Sequence, residues 1–135
     1  MFAPQSPAAA YARIGVETGV TTADPHKLVL MLFDGALLSI NSAAISMTAG
    51  DVPAKGRNIT RAIEIVSMGL KASLDMEAGG ELAERLGHLY DYICERLLLA
   101  NAQNNEGALA EVSRLLGELK DAWEQIGGSA AEAAA

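Results

Sequence analysis

The sequence predicts an all-α protein, an antiparallel up-down four-helix bundle with a short N-terminal arm or helix capping it. Three observations carry that prediction. Half of the 135 residues are hydrophobic, yet there are only two Phe, three Tyr and one Trp, so Leu, Ala, Ile and Met dominate and a β-architecture is disfavoured. Glycine or asparagine punctuates the chain at Gly50-Asp51, Gly79-Gly80, Asn104-Asn105 and Gly127-Gly128, where helices commonly stop. Between these joints apolar residues recur at alternating steps of three and four, the spacing of near-parallel helices in a left-handed bundle.

Each helix follows from local signals. Asp24 is suited to the N-cap and Pro25 to the first helical position, so the first helix runs from about Pro25 to Ala49. The second spans about Val52 to Met76, the third about Glu81 to Gln103, and the fourth about Glu106 to Ile126. Joints of a few residues force consecutive helices to run antiparallel. The core seam reads Val29, Phe33, Ala36, Ile40, Ala43, Met47 on the first helix and Val52, Ile59, Ile63, Val66, Leu70, Leu74 on the second. The third supplies Leu82, Leu86, Leu89, Ile93, Leu97, Ala100, and the fourth Leu109, Val112, Leu116, Leu119, Trp123, Ile126. The chain divides into an arm over 1–22, the bundle over 23–127 and a disordered Ala-rich tail over 128–135.

A second pattern concerns function. Leu28 to Phe33 is apolar on every side of its helix, whereas an outer helix of a bundle needs one apolar face. At 100° per residue, Leu28, Met31 and Leu38 lie away from the seam with Gly35 beside them. Ile65, Met68, Ala72 and Met76 form a similar stripe on the second helix. Methionine adapts to varied partners, and an apolar groove with small residues on its floor accepts a helix or extended segment. Periodicity leaves two readings open: a partner surface, or simply a wide core.

Other functions are disfavoured. A formal net charge of −7 argues against nucleic acid as a partner. The single cysteine, Cys94, excludes an internal disulfide framework and suits a reducing compartment. The opening residues lack the basic start and apolar core of a signal peptide, and no unbroken apolar run reaches the length of a membrane span. The expected location is cytoplasmic, without membrane insertion. Neither a catalytic set nor a metal site emerges: Glu84 and His88 have the wrong spacing for a di-iron bundle, and His26 reads as a solvated surface residue. No cofactor is expected, and the chain does not read as an enzyme.

Six stretches then resemble a known family. They are Tyr11-x-x-x-x-Val16, Thr22-Ala-Asp-Pro-His-Lys-Leu28, Leu32-Phe-Asp-Gly-Ala36, Asp75-Met-Glu-Ala-Gly-Gly-Glu81, Leu89-Tyr-Asp-Tyr92 leading into Arg96-Leu-Leu, and Asp121-Ala-Trp123. In order and spacing this set is similar to the flagellar secretion chaperones, the FliS family, over about Tyr11 to Ile126. Phe33 departs from the pattern, standing where tyrosine is common. The resemblance implies a bundle that binds the disordered C-terminal segment of flagellin in the cytoplasm, prevents its premature polymerisation and presents it to a flagellar export gate protein. A ligand that orders on binding needs a long apolar surface to offset its lost entropy. Our expected groove is Leu28, Met31, Gly35, Leu38, Ile65, Met68, Ala72 and Met76. The arm residues Tyr11, Ile14, Val16 and Val20 are expected either to cover part of that groove until flagellin displaces them or to plug the bundle end permanently. The competing functions are a regulatory bundle that uses the stripes to form a homodimer, and a metal- or small-molecule-binding bundle enzyme.

Overall fold

A computed structural model describes residues 24–134, with side chains placed through Ile126; the arm residues Tyr11, Ile14, Val16 and Val20 lie outside the described residues. Helix α1, Pro25–Ala49, begins where Asp24 accepts a hydrogen bond from the His26 amide at 3.0 Å and ends at Gly50 in the left-handed region, φ 74°. An N-cap of this kind contributes about 0.5–2 kcal/mol. Helix α2 starts at Val52 with Asp51 accepting from the Ala54 amide. Helix α3, Met76–Gln103, is capped by Asp75, whose carboxylate accepts from the Glu77 and Ala78 amides. Helix α4 runs Glu106–Ala134, with Asn105 accepting from the Ala108 amide. It carries on through Gly127 and Gly128, the pair expected to stop it. The alanines beyond, the strongest helix formers, oppose the glycine penalty of about 1 kcal/mol each.

The second joint differs most from expectation. The α-helix of α2 covers Val52–Glu64, after which the chain makes a π-helical stretch, Ile65–Leu70, and a 3-10 turn, Lys71–Ser73. Leu74 is extended, so helix α2 stops there instead of at Met76. One helical turn follows, and the chain bends at Gly80, φ 52° and ψ −128°, before the long straight part of α3. Only glycine adopts that backbone cheaply. The Gly79-Gly80 pair is thus a bend inside α3, not the end of α2.

Each helix packs on its chain neighbours, and α1 closes the ring against α4. The fully buried centre is Ile40, Ile59, Ile93, Leu97, Leu109 and Leu116 with Val66 and Val112, all eight of them residues of the seams read from spacing. Three seam residues fall outside it: Val52, Leu82 and Ile126 are 62%, 66% and 50% exposed.

Helix α1 is long and apolar enough to cross a membrane by length and composition, with a mean hydropathy of 1.8 over its most apolar window. Asp34 interrupts that stretch, so its apolar run is not unbroken, as the sequence reading has it. In the bundle α1 is the helix that packs on both α2 and α4. Lys55 is the buried cation of the core, 6% exposed, and its ammonium donates to the Asn101 carbonyl at 2.8 Å and to Asn104 Oδ1 at 2.7 Å. A cation at a helix C-terminus meets the negative end of the macrodipole, which offsets its burial.

Candidate partner-binding surface

The eight expected groove residues do not form one groove. Leu28, Met31 and Gly35 are half-buried on α1, and Leu38 is 67% exposed. Gly35 faces α2 closely: a Cβ built there would lie 3.4 Å from Ile65 Cδ1. Ile65 is therefore core, 4% exposed, and not the groove rim expected from a straight helix. Met68 and Met76 are 52% and 55% exposed, and Ala72 is exposed.

The π-helical stretch explains the split. Its i→i+5 bonding takes up roughly one extra residue, which turns everything beyond it by about 100° relative to a continuous α-helix. Ile65 stays against α1, while the side chains past the stretch swing towards α3. Ala72 lines a cleft of about 520 Å³ between the end of α2 and the start of α3, with Ser67, Lys71 and Leu74 on its side and Met76, Glu84, Gly87, His88 and Asp91 of α3 on the other. Gly87 forms the floor, where a Cβ would lie 3.7 Å from Leu74 Cδ1. Lys71 and Asp91 pair at 2.7 Å, and His88 and Glu84 approach at 3.9 Å.

Leu74 also belongs to a second, more apolar cavity at the end of the bundle. This one is about 320 Å³ and is lined by Val29, Phe33, Leu70, Ser73, Leu86, Tyr90, Leu119, Trp123 and neighbours, with the exposed Leu82 and Ile126 at its edge. The extended Leu74-Asp75 link is what lets one side chain face both spaces. Tyr90 is 5% exposed, and burial pushes its phenol up to about 12. The seam reading missed Tyr90, though Leu86, Tyr90, Ile93 and Leu97 recur at steps of four, three and four; the hydroxyl disguised it. His26 also differs from the solvated surface residue expected. It is half-buried at the start of α1 and stacks on Trp123 with ring centroids 5.0 Å apart.

The chemistry available is recognition of apolar chain. Burial, and then the Asp91 carboxylate, push the half-buried Cys94 thiol up, away from thiolate reactivity. On α3 and α4, outside both cavities, the Tyr92 hydroxyl and Arg96 Nε each donate to Glu111 at 2.6 Å. Those bonds hold the Glu111 carboxyl below its usual range, the Tyr92 bond contributing most.

A family model described as "Flagellar protein FliS" matches residues 7–130. The chain belongs to the FliS family. It is 49% identical over 117 residues to the flagellar secretion chaperone FliS of Salmonella typhimurium, covering 87% of each chain. It is 42% identical over 116 residues to that of Escherichia coli, covering 86% of this chain and 85% of the relative. The flagellar secretion chaperone FliSB of Pseudomonas aeruginosa is 41% identical over 116 residues, 86% of this chain and 91% of the relative. The matched region takes in all of α1 to α3 and both cavities, so the surface around Leu74 is part of the FliS-family fold.

Proposed function

We propose that this FliS-family protein is a cytoplasmic export chaperone for flagellin, binding its disordered C-terminal segment over the two cavities joined at Leu74. Capping that segment prevents premature polymerisation, and the complex delivers flagellin to the flagellar export gate. The observation that carries the reading is the continuity of apolar surface around Leu74 in a chain of this family. Ordering a disordered segment costs roughly 1–2 kcal/mol per residue in backbone entropy alone. Each apolar side chain buried returns about 1.5–3 kcal/mol. A single small cavity is too little, so a site that runs from the α2–α3 cleft into the bundle end is what such a ligand requires.

Calorimetric titration with a flagellin C-terminal segment tests this. Saturable binding with a large negative heat-capacity change is expected for the native chain, and a Met68→Glu, Met76→Glu variant of native helicity is expected to bind far more weakly. Undiminished binding by that variant moves the segment off the cleft, and absence of binding by the native chain ends the chaperone reading.

The arm falls within the same proposal. It enters α1 at Asp24, beside the end cavity that Val29 and Trp123 line. Its residues Tyr11, Ile14, Val16 and Val20 are suited to cover the cavity until flagellin arrives. Deleting residues 1 to 16 is then expected to leave flagellin binding unchanged or tighter, whereas loss of folding identifies the arm as a permanent plug.

A dimerisation role has one observation in its favour. Leu38 and Ile45, two turns apart on α1, are 67% and 64% exposed. A shallow apolar hollow of about 460 Å³ lies beside them at Ala44, Ile45, Thr48 and Ala49. A solution mass showing only a tight dimer, with no flagellin binding, favours that role.

A further inference from the structure

Three side chains lining the end cavity can donate a hydrogen bond: Ser73, Trp123 and Tyr90. Two are already committed. The Ser73 hydroxyl donates to the Gly69 carbonyl, and Trp123 Nε1 donates to the His26 carbonyl at 3.0 Å. Tyr90 differs. Its hydroxyl has no hydrogen-bond partner among the described residues, although the side chain is 5% exposed. Two residues along, the exposed Tyr92 has its partner in Glu111. Buried polar groups are ordinarily satisfied, and one that is not calls for an explanation. Phenylalanine would fill the same space without stranding a hydroxyl, so the packing of the described residues gives no reason for tyrosine at this position.

A bound segment supplies the reason. An apolar peptide entering an apolar cavity can bring side chains without polar atoms, but it cannot leave its backbone carbonyls behind. Each carbonyl buried against Val29, Phe33, Leu86 and Leu119 needs a donor from the walls. We infer that Tyr90 is the fixed hydrogen-bond donor of the end cavity, and that its hydroxyl meets a main-chain carbonyl of the flagellin C-terminal segment. The inference rests on the chaperone reading and names a specificity-determining residue within that site. Because burial raises the phenol, the hydroxyl keeps its proton and remains a donor at every working pH. The selectivity is for chain that unwinds or ends a helix over the cavity, since a carbonyl in mid-helix is already bonded.

The test uses the full chain and its Tyr90→Phe variant, with calorimetric titration of a flagellin C-terminal segment. The variant is expected to fold with an unchanged or higher Tm and to bind about three- to tenfold more weakly, the range of a net buried hydrogen bond. In the native chain carrying ¹³Cζ-labelled tyrosine, the Tyr90 resonance is expected to shift as the segment is added. Equal affinity of the two chains, or an unmoved resonance, overturns the assignment while leaving the chaperone reading intact. Failure of the native chain to bind overturns that reading and this assignment with it. If the resonance is already shifted in the free chain and moves when residues 1–22 are deleted, the chain's own leading segment is the acceptor and the assignment to flagellin is overturned.

Discussion

His26 and Trp123 bind each other twice across the bundle end. Trp123 Nε1 donates to the His26 carbonyl at 3.0 Å, His26 Nε2 lies 2.7 Å from the Trp123 carbonyl, and the two rings stack at an interplanar angle of 13°. The pair ties the first turn of α1 to α4 at Trp123, which lines the end cavity. Since the nitrogen facing a carbonyl must carry the proton, the contact also selects the imidazole tautomer protonated at Nε2. Replacing Trp123 by Phe removes one of these hydrogen bonds and part of the stack. A loss of about 1–3 kcal/mol in denaturant unfolding is expected.

Trp123 is the single tryptophan of the chain, so its emission reports on the cavity alone. Filling the cavity with apolar chain should move that emission to the blue during a flagellin-segment titration. An emission spectrum indifferent to saturating segment would place the ligand elsewhere.

Ile65 and Met68 lie three residues apart but should respond oppositely to the same change. Met68→Glu puts a charge on a half-exposed surface position and is expected to alter stability by no more than about 0.5 kcal/mol. Ile65→Glu buries a charge against Gly35 and is expected to cost more than about 4 kcal/mol, enough to unfold a marginal bundle. Circular dichroism through a denaturant series distinguishes them.

Lys55 should matter more than an ordinary lysine. Lys55→Met keeps the length of the side chain but leaves the Asn101 carbonyl and Asn104 amide oxygen without their donor. The expected cost is about 1–3 kcal/mol in unfolding free energy. A loss near zero would mean that water replaces the ammonium without penalty.

Glu111 and Tyr90 make opposite pH predictions. Glu111 has its folded pKa depressed, so its contribution is present above the unfolded carboxyl value of about 4.3 and disappears as pH falls through the folded one. The stability gap between the native chain and Glu111→Gln should therefore close in acid. Tyr90 has its folded pKa raised to about 12 from 10.0, so its contribution is complete below the unfolded value and lost as pH climbs towards the folded one. Tyr90→Phe should consequently unfold less readily than the native chain between those two values.

The boundaries that proved legible were local ones. Asp24-Pro25, Gly50-Asp51 and Asn104-Asn105 act through hydrogen bonds and backbone angles within a few residues, so they can be read without knowing the fold. The steps of three and four located Ile40, Ile59, Ile93 and Leu116 in the core for the same reason. The expected groove failed at Ile65 because the buried face of α2 is wide enough to take in Ala62 and Ile65 beside Ile59 and Val66, a width that spacing alone left open.

By itself, the sequence determined that four helices form, where two of their three joints lie, which residues make the seams and to which family the chain belongs. The tertiary structure decided that Lys55 is buried, that His26 stacks on Trp123, and that Leu74 links the cleft to the end cavity. Those features depend on groups far apart in the chain: a buried ammonium is tolerable only if another helix offers its carbonyls, and a cavity exists only where several helix ends diverge. Local chemistry chooses the elements, whereas the distances between them choose the site.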